Sequence, residues 1–155
     1  MRSLLLDTNL CILLLVGLAN GGKSVRHKRL GAYSLRDFKL LKDVVRDFDT
    51  VYITSYCLAE VSNLLRTGER GDRGERFMKL LADLVDKGFV EVQQTLKRLS
   101  EEHHEAYLKL GLPDAGIIAA ASEASSILTD DLDLFMALTQ RFPLKAANFN
   151  HLRQQ

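Results

Sequence analysis

SLLLDTNLCILLLVGLA, residues 3–19, carries two signals in immediate succession. Ser3–Leu6 is a short apolar run stopping at Asp7, the pattern of a strand buried on both faces of a parallel sheet. Thr8 or Asn9 then caps a helix running to about Ala19, where Asn20-Gly21-Gly22 breaks it. A buried strand that hands over directly to an apolar helix is the opening of an α/β unit. With Met1-Arg2 in front, the stretch loosely imitates a secretory signal. Asp7 and Asn9 interrupt it, however, and the unbroken run Cys11–Val16 is far too short to cross a bilayer. The expectation is a cytoplasmic protein with no membrane partner.

Outward from this stretch the alternation repeats. Leu35, Phe38, Leu41, Val44, Val45 and Phe48 form one helical stripe over 35–48. Val51–Thr54 is a β-branched strand that passes through Ser55, a helix cap, into a helix to about Thr67. The polar turn Gly68–Gly74 leads to a helix over Glu75–Asp86, a strand over Phe89–Val92 and one helix over Leu96–Leu110. Gly111 and Pro113 end that helix, and Pro113 opens the next. Ser126–Thr129 reads as a strand, Asp131–Gln140 as a helix, and a last strand falls near Lys145–Asn148. Strands alternating with helices predict an α/β fold with a mainly parallel sheet. The absence of linkers and repeats predicts one domain over 1–155.

Composition narrows the function classes. Apolar residues at 46% and charged ones at 26% exclude a disordered chain. Lys+Arg (21) balances Asp+Glu (20), so phosphate attraction must come from local patches. Lys23, Arg26, His27, Lys28 and Arg29 make one such patch; Arg66, Arg70, Arg73 and Arg76 make a second. Either can hold RNA phosphates or be a solvated loop. Cys11 and Cys57 sit in apolar runs and read as buried reduced thiols. His103-His104 read as surface residues, and His151 carries no signal.

The acids carry the chemistry. Sites on open parallel sheets form beyond the carboxyl ends of the strands. Asp7 ends the first strand, and Asp130, Asp131 and Asp133 follow SILT. Glu60 has Tyr56, Cys57 and Leu64 on its helical face, and Asp114 has Ile117 and Ile118, so both point inward. Two carboxylates about 4 Å apart repel by roughly 4 kcal/mol at an effective dielectric near 20. A magnesium or manganese ion offsets that repulsion and suits an all-oxygen donor set. Each acid also has a structural reading: Asp7 and the Thr129-Asp130-Asp131 run suit helix caps, and Asp114 suits a first helical turn.

LLLDTN, SYCLAEVSNLL, GLPDAGIIAAA and ILTDDLDL, in this order, resemble the motifs of PIN-domain ribonucleases over nearly the whole chain. The resemblance implies a three-layer α/β/α PIN-like fold and hydrolysis of RNA around one or two Mg2+ or Mn2+ ions. It places the four acids at Asp7, Glu60, Asp114 and Asp131, with Asp133 as possible support. Thr8, Asn9, Thr129 and Asp130 would surround them, Thr129 orienting an acid or the attacking water. Among small bacterial relatives, many are dimeric toxins silenced by an antitoxin (VapC-like), which makes a homodimer and an antitoxin partner expectations here. The interval between Asp7 and Glu60, with its KSVRHKR segment, is longer than compact toxins carry. Two alternatives stand beside this reading. Gly17–Ser24 satisfies the phosphate-loop pattern GxxxxGKS, which needs a preceding strand and a following helix. A PIN scaffold that only binds RNA or protein is the other.

Overall fold

Five short strands and nine α-helices follow one another in a computed structural model that describes residues 1–155. In chain order these are β1 (Ser3–Leu6), α1 (Thr8–Ala19), α2 (Leu35–Arg46), β2 (Thr50–Thr54), α3 (Ser55–Arg66) and α4 (Arg73–Lys87). Then come β3 (Phe89–Val92), α5 (Leu96–Glu102), α6 (His104–Leu110), α7 (Leu112–Ala120), β4 (Ser126–Thr129), α8 (Leu132–Arg141), β5 (Ala146–Asn148) and α9 (Phe149–Arg153). A 3-10 turn, Lys28–Leu30, lies between α1 and α2.

All strand pairs are parallel, in the order β3-β2-β1-β4-β5. β1 is central, with Leu4 level with Val51 on one side and Ser126 on the other. Right-handed crossovers put α1–α4 on one face and α5–α8 on the opposite one, giving three layers. Consistently, α1 packs on α2, α3 and α4, while α7 packs on α5, α6 and α8. The chain runs from β1 outward to β3, then returns to β4 on the other flank of β1. The topology therefore switches between β1 and β4, where a crevice opens at the strand ends.

α1 explains the apolar opening of the chain. Leu10 to Val16 are all at most 3% exposed, so this helix is enclosed on every side rather than amphipathic. Its 12 residues span about 18 Å at 1.5 Å per residue, and no helix in the chain is long and apolar enough to cross a membrane. Cys11 and Cys57 are free and fully buried, as expected.

Several local expectations are corrected. The cap of α1 is Asp7, whose side chain accepts from the Leu10 N–H, not Thr8 or Asn9. The cap of α3 is Thr54 rather than Ser55. The helix expected over 96–110 is broken at His103, whose backbone (φ −128°, ψ 37°) leaves the helical region. No proline or glycine marks that junction, so composition gives no sign of it. α9 is too short for periodicity to reveal.

The phosphate-loop alternative is overturned. Gly17 lies inside α1 at a close approach, with the Phe38 ring filling the space where a Cβ would stand. CILLLV is helix rather than strand, and Ser24 opens no helix. Without a strand-to-helix loop the backbone amides cannot converge on a phosphate.

Candidate active site

Asp7 is the first residue past β1, and its carboxylate is held on three sides. The Leu10 N–H donates to Oδ1 (3.1 Å), while the Asp130 N–H (3.0 Å) and the Thr129 hydroxyl donate to Oδ2. Two of those donors lie at the carboxyl end of β4, Thr129 as its last residue and Asp130 just past it, so the pairing of β1 with β4 fixes the distant segments on one another. Asp130 is held in turn by Asn9, whose amide donates to Oδ1 (3.3 Å), and by the Tyr33 hydroxyl at Oδ2. The Asn150 amide donates to the Asp130 carbonyl (2.9 Å).

Glu60 reaches the same place from the second turn of α3, and Asp114 from the first turn of α7. These helices pack against each other, which brings their carboxylates to one cavity. That cavity, about 190 Å3, is lined by Asp7, Glu60, Asp114, Asp130 and Asp131 together with Thr8, Asn9, Arg29, Leu110 and Pro113. Neither Glu60 nor Asp114 accepts a hydrogen bond within the protein, so both remain free to reorient, whereas Asp7 is anchored.

The electrostatics record the crowding. Burial, and then the charge of Asp130, push the Asp7 carboxyl up to about 8 against three hydrogen bonds that favour its ionised form. Burial also raises Asp114 to about 6, with Asp131, Glu60, Asp130 and Asp133 adding to the effect. Arg29 lines the cavity without pairing with any of the acids. Five oxygen-donor acids, none paired with a basic side chain, suit a hard divalent cation. No three His, Cys, Asp or Glu side chains already stand in ligating geometry.

Sequence similarity adds nothing to this geometry. No protein-family profile matches the chain, and no curated protein matches it.

The expected acids Asp7, Glu60, Asp114 and Asp131 do converge. Asp131 is exposed and spends Oδ1 on capping α8 through the Leu134 N–H (2.9 Å). Asp130, expected in a surrounding role with the choice of fourth acid among Asp130, Asp131 and Asp133 left open, stands beside it on the cavity wall and touches Asp7 directly. Asp133 does not line this cavity: α8 turns it into a neighbouring groove with Glu105, Lys109 and Arg141. Thr8, Asn9 and Thr129 surround the acids as expected. Of the basic residues, only Arg29 reaches the cavity; Lys23, Arg26, Lys28, Arg66 and Arg70 do not line it.

Tyr33 and Asn150 were invisible to the sequence reading, as was the Arg153–Asp37 pair (2.9 Å) behind them. The Arg153 guanidinium lies 4.6 Å from the Tyr33 ring and donates to Asn150 Oδ1 (3.0 Å), so α9 is locked onto the residues that hold Asp130. A lone tyrosine in a loop and an asparagine in a five-residue helix carry no spacing signal.

Proposed function

We propose that this chain is a divalent-metal-dependent endoribonuclease of the PIN type. The observation that carries the reading is the convergence of acids from four separate segments at the topological switch, with Asp7 and Asp114 pushed far above the usual carboxylate range. Asp7, Glu60 and Asp114 would hold one or two Mg2+ or Mn2+ ions, with Asp130 or Asp131 as the fourth acid. The cation supplies Lewis-acid stabilisation to a phosphodiester under in-line attack by water.

The chain's own residues do the rest. Thr129 and the Leu10 and Asp130 amides fix the Asp7 carboxylate, so its position is set before substrate arrives. Asn9 and Tyr33 fix the Asp130 carboxylate beside it. Glu60 and Asp114, which make no hydrogen bond of their own, would hold the ion and orient the attacking water. The water oxygen bonds to phosphorus, the P–O bond to the leaving ribose oxygen breaks, and the proton released passes to that oxygen.

Cleavage of total RNA in Mn2+ buffer, with and without chelator, by wild type and Asp114→Asn tests the reading. We expect cleavage that chelator and the substitution both abolish. Cleavage that survives either would defeat the site, and RNA binding without any cleavage would favour the scaffold that only binds. A toxin role predicts that expression arrests growth, that Asp114→Asn relieves the arrest, and that a co-expressed antitoxin neutralises it. A homodimer is the expected assembly, and sedimentation measures it.

A further inference from the structure

We propose that Arg29 is the residue that grips the RNA phosphate at the acidic cavity, and that the segment from Asn20 to Leu30 is built to hold it there. The inference rests on the ribonuclease reading and assigns the contact that this reading leaves open.

Arg29 is the sole basic residue lining a cavity walled by five acids. Its side chain is exposed and engaged in no ion pair or hydrogen bond, while two nearby basic side chains, Lys28 and Arg73, are spent on holding the loop in place. The Lys28 ammonium donates to the Thr67 carbonyl, and Arg73 donates to the Arg26 carbonyl. Arg73 also pairs with Glu69 at 3.3 Å. At the centre is His27, buried with its ring edge-on to Phe77 (6.1 Å, 75°) and its Nε2 3.1 Å from Glu69 Oε1. Nδ1 of that imidazole accepts the Arg29 backbone N–H (3.1 Å). His27, Lys28 and Arg73 thus form a clip that pins the 3-10 turn against the α3–α4 connection and leaves Arg29 as the one basic residue on the cavity wall.

The chemistry fits a phosphodiester. An acidic wall repels phosphate, so a substrate needs a cation at the rim as well as one among the carboxylates. A guanidinium offers paired donors to two non-bridging oxygens and stays charged at any working pH. Placed there, it stabilises the charge that grows on those oxygens during attack.

The test uses a labelled single-stranded RNA oligonucleotide and Ca2+-loaded protein, with the binding constant measured across a KCl series. Arg29→Ala should lower the magnitude of the log–log salt slope by about 0.7, the share of one phosphate on a single strand. Mn2+ affinity by calorimetry should be unchanged, and Mn2+-supported kcat should fall about 100-fold, as for loss of one transition-state donor. Arg29→Lys should restore the slope but not kcat, because a single ammonium lacks the fork. An Arg29→Ala protein with the wild-type slope overturns the assignment, even if wild type cuts RNA. A wild type that binds through Arg29 and never cuts would instead overturn the nuclease reading and leave Arg29 in place.

Discussion

Asp7 and Asp114 are held partly protonated by the same fold that gathers them, and stability should register this. A carboxyl raised in the folded state makes the native protein bind more protons than the unfolded chain between the two values. For Asp7 that window runs from 3.8 to about 8, so its contribution is complete below the lower value and lost as pH climbs through the upper. Burial lowers His27 and His103, and their opposite effect acts at lower pH and fades as pH rises above about 6.5. Between about pH 6.5 and 8.5, metal-free protein should therefore lose up to roughly 1.4 kcal/mol per pH unit. Thermal melts in chelator would read this as a fall of about 2–4 °C per kcal/mol, and a flat profile would contradict it. Asp114→Asn removes a half-buried charge that accepts no hydrogen bond. At pH 7.5 it should raise the metal-free melting temperature by about 2–4 °C, a shift discounted for partial exposure, while cleavage falls by about 100-fold or more. A variant that lost both stability and activity would mark Asp114 as structural.

At the scale of elements, α1 is read correctly from its apolar run, yet its termini and its packing are decided elsewhere. Asp7 caps it and belongs to the cavity at once, so the capping and the functional readings of that residue are both right. Gly17 is the helix's point of closest approach to α2, with Phe38 1% exposed and unable to retreat. Gly17→Ala should overpack this contact and destabilise the protein by about 1–3 kcal/mol. Urea denaturation should show an earlier midpoint, with cleavage per folded molecule preserved; an unchanged midpoint would mean that the ring moves aside. The helix expected over 96–110 shows the opposite limit: its apolar pattern continues through His103 while the backbone does not.

At the scale of the molecule, a near-neutral chain of 21 basic and 20 acidic residues separates its charge locally. Acids line the switch-point cavity, and the basic segment forms a clip beside it. If the cavity holds a divalent ion, Mn2+ at about 100 times its dissociation constant should add roughly 2.7 kcal/mol to stability, which a domain of this size shows as about 5–10 °C. A folded protein with no shift in millimolar Mn2+ would refute ion holding. The strand–helix alternation, the parallel sheet and the identity of Asp7, Glu60 and Asp114 as inward acids are all local properties, written in apolar period and in what flanks each charge. By itself the sequence determined those. Which acid past β4 faces the cavity, which arginine reaches it, and that Tyr33 and α9 brace it were decided only by tertiary structure. Those choices depend on the rotation of α8 about its axis and on contacts between residues about 100 positions apart, such as Tyr33 with Asp130. Such contacts leave no periodicity in the chain, because their geometry exists only after β1 and β4 have paired.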